Sequence, residues 1–361
     1  MQKNNRINTL DSFRFLAIAM VVLFHYYSGW ATPAHSLYPY GMKYDFFRHG
    51  DLGVQFFFII SGFVISYTLT ITDSITEFWK KRFMRLFPPM LICTLVTLLF
   101  CIFFDSNNLF PNSHEVINFF CSLTFISPSL LDSILHRSSS LHYTSLSYWS
   151  LWPEIQFYFI ASLLYYYKPD KFVQNFSITA ILLYFLFLFY GNIQGLTILH
   201  VTKTAFPVPA IEFIVNEFNI SFYGLWFLIG VLFFKLYFRE GDKYTIITLF
   251  IAAALLLKYS SYDLTIRSIY LLLFVVFWIF VYFPGLLRWL NYPFITNIGL
   301  ASYTLYLIHQ EIGLILINKY AASWGRFDFL LPLLIITVFV LLSVASYRFV
   351  EKPINKFLKK I

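Results

Sequence analysis

Apolar runs long enough to cross a membrane as helices constrain this sequence most. A helix rises about 1.5 Å per residue, so about 20 apolar residues cross a hydrocarbon core about 30 Å thick. Only 12% of the residues are charged, against about 25% in soluble domains. We therefore predict an all-α polytopic membrane protein with about ten transmembrane helices, at 15–31, 52–71, 86–104, 148–167, 172–190, 219–238, 244–258, 264–283, 297–317 and 329–350.

The basic residues orient the predicted helices. If the N terminus lies inside, the inner segments hold 18 of the chain's 26 Lys and Arg residues. Cytoplasmic loops are enriched in these residues, so both termini are predicted to be cytoplasmic. We interpret the formal charge of +8 as this orientation signal and predict no nucleic-acid partner. The first helix resembles a signal peptide but is expected to be retained, because many spans follow it.

Two predicted outer segments are long, at about 105–147 and 191–218. Within the first, the apolar patch 116–126 is too short to span and is predicted to be re-entrant or interfacial. Long loops often bind ligands, although these two segments could also serve only as caps. Over 1–361 we expect a single membrane-embedded domain without an appended soluble domain.

The first apolar run, LDSFRFLAIAMVVLFH at Leu10–His25, places a histidine near the middle of a predicted membrane helix. A polar group at that depth is costly and usually functional. Asp11 and Arg14 lie three residues apart, and therefore on one helical face at the inner boundary. His25 could instead be a structural histidine bonded to a neighbouring helix, and Arg14 a plain membrane anchor.

A second candidate site is the inner loop and start of the third span, KKRFMRLFPP at 80–89. Arg82 and Arg85 share a face, and Pro88 and Pro89 are expected in the first turns of the span. Guanidinium groups bind phosphates with two parallel hydrogen bonds, which favours a phosphate-bearing cytoplasmic ligand. An ordinary cluster of basic anchors is the alternative.

Two further spans carry polar side chains. In SYWSLWPEIQFYF, Glu154 lies inside an apolar run, and Pro153 before it predicts a broken or kinked helix. A structural ion pair is the alternative for Glu154. In ASYTLYLIHQE, Ser302, Tyr306 and His309 are spaced as one polar stripe on the ninth span.

The second span carries Gly53, Ser61 and Gly62, which predict close helix packing rather than chemistry. The three cysteines show no pairing or metal-ligand spacing and are interpreted as buried thiols. The sequence has no HExxH, no GxSxG and no phosphate-binding glycine loop. Neither a metal site nor nucleotide hydrolysis is therefore predicted.

Six stretches, in this order, resemble the acyltransferase-3 family of integral membrane acyltransferases. They cover about 10–353, and the ten-helix core of the family agrees with the hydropathy count. The stretches are LDSFRFLAIAMVVLFH, GVQFFFIISGF, FWKKRFMRLFPP, YWSLWPEIQFYF, SYTLYLIH and SYRFVEKP.

The resemblance implies transfer of an acyl group, most often acetyl, from cytoplasmic acyl-CoA to a hydroxyl of a cell-surface glycan or lipid-linked saccharide. The expected location is a bacterial inner membrane. Acyl-CoA is the expected donor co-substrate, with no permanently bound cofactor. On the resemblance and the residue patterns together, His25 and Glu154 are expected to be catalytic, Arg82, Arg85 and Arg14 to bind acyl-CoA, and Asp11, Ser302, Tyr306 and His309 to support them.

Some positions depart from the family pattern. Ser12 replaces a common glycine, Gln55 a frequent aspartate, and Pro153 is unusual before the glutamate. These changes affect acceptor identity and local geometry more than the reaction class. A transporter or flippase for lipid-linked sugars would have the same composition, although no inverted repeat of that class is found. A non-catalytic relative would keep the motifs without needing His25.

Overall fold

The protein is all-α, as a computed structural model of the chain shows. The structure describes residues 7–29, 40, 44–136, 140–198, 215–259 and 263–358, with side chains except at 191–198, 355, 357 and 358. No strand occurs in these ranges. The prediction of an all-α polytopic membrane fold is confirmed. Most of the predicted outer segment 191–218 lies outside the described residues.

The chain divides into two compact units. The first comprises Met1–Phe57, Trp79–Ser150 and Gly285–Ile361. It contains α1 (Asn8–Tyr27), the start of α2 (Gly53–Thr70), most of α3 (Ile75–Phe104), α4 (Val116–Leu123), α5 (Pro128–Leu135), α11 (Pro293–Leu300), α12 (Ser302–Ile308), α13 (Gln310–Tyr320), α14 (Leu330–Ser346) and α15 (Lys352–Leu358). A π-helical turn, Tyr347–Glu351, joins the last two.

The second unit comprises Phe58–Phe78 and Leu151–Pro284. Besides the remainder of α2 and the start of α3, it contains α6 (Leu151–Tyr167), α7 (Phe172–Ile198), α8 (Ile220–Tyr237), α9 (Lys243–Tyr259) and α10 (Leu264–Tyr282). Helix α8 is apolar and buried nearly all round, as expected for the central helix of a bundle.

Helix α1 is central to the first unit. Phe13, Ala17 and Val21 recur every four residues along it and are fully buried. The helix ends at Tyr27, and Gly29 then adopts a positive φ of 51° that a residue with a side chain would rarely accept.

Seven helical segments in the described part of the chain are long and apolar enough to cross a membrane, or eight if the bent pair α4–α5 counts as one span. Of the other predicted spans, α6 and α9 are 17-residue helices, about 25 Å long. The remaining one, predicted at 297–317, is broken into α11, α12 and α13. The count of ten and the cytoplasmic termini stay predictions.

Two expectations about prolines are wrong. Helix α3 begins at Ile75, so Arg82 and Arg85 lie on the helix itself, and Pro88 and Pro89 lie in its interior. Pro153 is the third residue of α6, in the first turn, where a proline removes no helical hydrogen bond. It marks the start of α6 and does not interrupt it.

The predicted outer segment that follows α3 is ordered in the described ranges. Asp105 accepts hydrogen bonds from the Leu109 and Phe110 amides, and its Oδ2 lies 3.0 Å from Nε2 of His114. Burial alone would raise the pKa of Asp105, but the hydrogen bonds from His114 and the two amides outweigh burial and lower it. The carboxylate therefore holds the start of this segment.

The close helix packing predicted from Gly53 and Gly62 is confirmed. A Cβ at Gly53 would lie 2.4 Å from the carbonyl oxygen of Ala17 on α1. In the second unit, a Cβ at Gly62 would lie 2.1 Å from the carbonyl oxygen of Phe227 on α8. In both cases the added Cβ would meet a backbone oxygen, which cannot move aside as a flexible side chain could.

We expect Gly62→Ala to destabilise the protein, although alanine is the better helix former. The added methyl group meets a carbonyl oxygen, and overpacking of this kind costs about 1–3 kcal/mol. Thermal unfolding of the detergent-purified protein measures the effect. Gly285→Ala is the matched control, because no atom lies within 4 Å of the added Cβ. Equal melting temperatures for the two variants would contradict the prediction.

Candidate active site

His25 lies in the last turn of α1, and its side chain is buried, at 5% exposure. The expectation that it lies near the middle of the helix is wrong. Helix α1 begins at Asn8, several residues before the apolar run, and ends two residues after His25. Because a helix continues into flanking polar residues, hydropathy alone placed the segment too far along the chain.

His309 is a titratable partner of His25. Nε2 of His309 and Nδ1 of His25 are 3.0 Å apart, and the two ring centroids are 5.0 Å apart. His309 is fully buried and lies at the break between α12 and α13. The structure therefore joins a predicted catalytic residue to a predicted supporting residue through one side-chain hydrogen bond.

Tyrosine hydroxyls hold the chain at this break. Tyr26 donates to the carbonyl oxygen of His309 at 2.7 Å, and Tyr148 donates to that of Leu307 at 3.1 Å. Tyr306 donates to the carbonyl oxygen of Ser147 at 2.6 Å. Carbonyl groups near a broken helix lack some of their helical partners, and these hydroxyls supply hydrogen bonds in an apolar surrounding.

Glu311 was not identified by sequence reasoning. Its carboxylate is buried and accepts a hydrogen bond from the Leu146 amide at 2.7 Å and another from the Ser145 side chain. A carboxylate inside an apolar run, two residues after His309, was the available signal. Polar and charged groups thus continue beyond the histidine pair.

At the other end of α1, Asp11 and Arg14 form a salt bridge with an N–O distance of 2.7 Å. Arg82 and Arg85 of α3 lie close enough to act electrostatically on Arg14. Asp11 and Arg82 are buried, and Arg85 is half-buried. Asp11 and Arg14, which were predicted to share one helical face, bond to each other, and Arg82 and Arg85 lie near Arg14.

A second carboxylate near this group, Glu351, was also missed. It is buried on the π-helical turn, accepts a hydrogen bond from the Thr304 hydroxyl, and lies near Arg85. The SYRFVEKP stretch drew attention to this segment, but spacing alone gave its glutamate no role. π-Helical turns are rare and frequent at functional sites.

Glu154 belongs to the second unit. Oε1 of Glu154 accepts hydrogen bonds from Ser61 at 2.9 Å and from Tyr158 one turn later on α6. Ser61, predicted as a small packing residue, is therefore also a hydrogen-bond donor. Both bonds reach the same oxygen, and the structural ion pair considered for Glu154 is absent from the described contacts.

The chain matches the acyltransferase-3 family, described as an acyltransferase domain, over residues 7–348. The chain belongs to this family. The relatives include the O-acetyltransferase OatA of Staphylococcus aureus (strain NCTC 8325 / PS 47), 23% identical over 386 residues that cover 96% of this chain and 57% of OatA. An O-acetyl transferase of Shigella phage Sf6 is 33% identical over 93 residues, 26% of each chain. The chain thus spans little more than half of OatA. No solved structure matches it.

The family assignment made from six motifs is confirmed. In the first unit, the structure gathers the predicted site residues into two groups, at opposite ends of α1. One group contains His25, His309 and Tyr306, and the ring centroids of Tyr306 and His309 are 5.6 Å apart. The other group contains Asp11 and the three arginines described above. Ser302 is buried at the start of α12, two turns before His309. In the described ranges no three His, Cys, Asp or Glu side chains come together as a metal site.

Proposed function

We propose that this protein is an O-acyltransferase that moves an acyl group, most simply acetyl, from acyl-CoA to a hydroxyl of a surface glycan or lipid-linked saccharide. It would act in a bacterial inner membrane, with its donor site facing the cytoplasm. One observation carries the proposal: helix α1 has an arginine cluster at one end and a buried histidine pair at the other. Membership of an acyltransferase family supports it.

The arginine cluster suits the phosphates of coenzyme A. Arg14, Arg82 and Arg85 together carry three positive charges, and the neighbouring carboxylates of Asp11 and Glu351 offset two of them. Three guanidinium groups close together in a partly buried place attract an anionic ligand. Guanidinium forks hold phosphate oxygens in pairs, which a lysine cannot do as well.

The distance between the two groups fits the shape of acyl-CoA. Arg14 and His25 are eleven residues apart on one helix, about 16 Å along its axis. The thioester of acyl-CoA is separated from the phosphates by a long flexible arm. A donor with phosphates at the arginines would therefore present its acyl group toward His25.

His25 would assist the transfer. Its imidazole takes the proton of the acceptor hydroxyl while the hydroxyl oxygen attacks the acyl carbon. The C–O bond forms, the C–S bond of the thioester breaks, and the proton passes to the departing thiolate of coenzyme A. In the covalent alternative, the imidazole itself attacks first, releases coenzyme A, and passes the acyl group to the acceptor.

Glu154 would act as the second catalytic group. Ser61 and Tyr158 both bond to Oε1, which fixes the carboxylate and keeps Oε2 for another partner. A carboxylate so held suits a role in orienting an acceptor hydroxyl. Glu154→Gln keeps the shape and tests the role of the charge.

The proposal is tested with purified protein in liposomes of bacterial lipid. Surface glycan isolated from cells that lack the gene is enclosed in the liposomes, and acetyl-CoA labelled in the acetyl group is added outside, so that donor and acceptor lie on opposite sides of the bilayer. We expect label to appear in the glycan, with release of free coenzyme A in equal amount. A transporter or flippase would release no coenzyme A under these conditions. That result would overturn the proposal.

A further inference from the structure

Hydrogen-bond partners define where the proton lies on His309. Nδ1 of His309 is 2.7 Å from the carbonyl oxygen of Tyr306, and the carbonyl of Leu305 also bonds with this side chain. A carbonyl oxygen only accepts a hydrogen bond, so Nδ1 must carry the hydrogen. In a neutral imidazole the other nitrogen, Nε2, then holds a lone pair and accepts.

His25 is the next member of this chain of hydrogen bonds. Nδ1 of His25 is 3.0 Å from Nε2 of His309, which accepts, so the hydrogen must lie on Nδ1 of His25. The backbone of Val21, one turn earlier, also bonds with the His25 ring. The hydrogen bond to His309 therefore places the hydrogen on Nδ1 of His25 and leaves the lone pair on Nε2.

The residues around the pair hold this arrangement in place. The Tyr306 hydroxyl bonds to the Ser147 carbonyl and lies 2.7 Å from the Ser150 hydroxyl, which fixes the residue whose carbonyl begins the chain. The Tyr26 hydroxyl bonds to the carbonyl of His309 itself. Because these contacts come from two other segments of the chain, the backbone on which the His309 ring is carried is held in place.

We propose that His309 is a positioning residue that holds His25 in the tautomer with hydrogen on Nδ1, so that Nε2 of His25 is the reacting atom. The inference rests on the proposed acyl transfer. Nε2 takes the proton from the acceptor hydroxyl as the C–O bond forms and the C–S bond breaks. The Nδ1–H donated to His309 supports the positive charge on the His25 ring, and the Nε2 proton then passes to the thiolate of coenzyme A.

The division of labour resembles that in serine hydrolases, where a buried carboxylate fixes the tautomer of the base. Loss of that carboxylate lowers kcat about 10⁴-fold, mainly because the histidine adopts the wrong tautomer. His309 would supply the same orientation without a charge, which suits an apolar surrounding where an ionised partner is costly. It touches His25 and not the substrate, so its effect is expected on kcat.

Kinetics of His309 variants test the inference. We expect His309→Ala to lower kcat for acetyl transfer at least about 100-fold, with little change in the KM for acetyl-CoA. His309→Gln keeps an acceptor oxygen near the place of Nε2 and should restore at least a tenth of the wild-type kcat. His142→Ala, an exposed histidine outside the site, is the matched control and should keep wild-type kcat. A kcat of His309→Ala within threefold of wild type would overturn the inference.

Nitrogen NMR of histidine-labelled protein in lipid gives a readout that does not depend on a folded His309 variant. The signals of Nδ1–H and Nε2–H imidazoles differ, and the His25 signals are assigned from the spectrum of His25→Gln. We expect His25 of the wild type to be neutral with hydrogen on Nδ1. Hydrogen on Nε2 would overturn the inference even if His309→Ala fails to fold. If the wild type transfers no acetyl group at all, the proposed function is wrong and the kinetics of the variants no longer apply. The NMR result still decides which tautomer His25 adopts.

Discussion

His25→Ala is expected to abolish acyl transfer while the protein still inserts into the membrane. Loss of a general base alone lowers the rate about 10²–10⁴-fold, and loss of a covalent acyl carrier would leave only background. The substitution also leaves Nε2 of His309 buried without its partner, which costs about 1–3 kcal/mol. The rate is measured as labelled acetyl transferred from acetyl-CoA to glycan in liposomes.

The control for this prediction separates chemistry from folding. His25→Gln fills most of the space and can still donate a hydrogen bond to His309, so it should restore stability without restoring the rate. Binding of labelled acetyl-CoA to both variants shows whether the arginine end of α1 remains intact. Product formation at more than a tenth of the wild-type rate in a folded His25→Gln protein would disprove the catalytic assignment.

Much of the first unit's site could be read from the sequence because local rules govern it. Asp11 and Arg14 lie three residues apart on a helix, a spacing that brings side chains together in any helical context. Arg82 and Arg85 were predicted to share a helical face from their spacing alone. The prediction holds although α3 begins earlier than expected. Gly53 follows equally, because helices that pack closely need small residues, and the same rule predicted Gly62 in the second unit.

What sequence reasoning missed depends on contacts between distant segments. Ser302, Tyr306 and His309 fit an unbroken helix by spacing, but α12 ends before His309. Hydroxyl groups of tyrosines from elsewhere in the chain bond to carbonyl oxygens at this break. The hydrogen bond between His25 and His309 joins positions 284 residues apart, and the periodicity of the sequence cannot predict a contact at that separation. The position of Glu351 in the site depends on its contacts with Arg85 and Thr304, which the π-helical turn brings near.

The second large effect is expected at the arginine cluster. Arg82→Gln and Arg85→Gln should each raise the KM for acetyl-CoA about 10- to 100-fold, because a hydrogen bond to a charged group contributes about 1.5–3 kcal/mol. Since neither side chain is proposed to touch the acyl group, kcat at saturating donor should change little. Lys80→Gln removes an exposed positive charge from the same helix and is the matched control.

A donor without the nucleotide decides whether the arginines recognise phosphate. Acetyl-pantetheine carries the same thioester but none of the phosphates of coenzyme A. If Arg82 and Arg85 bind those phosphates, the wild type and both variants should use acetyl-pantetheine with equal, poor efficiency, and the loss in KM should appear only with acetyl-CoA. Equal losses with both donors would instead mean that the arginines hold α3 against α1, where Arg14 and its partner Asp11 lie close by. High salt gives an independent measure, because it weakens charge recognition at a solvent-accessible site and should raise the KM for acetyl-CoA in the wild type more than in either variant.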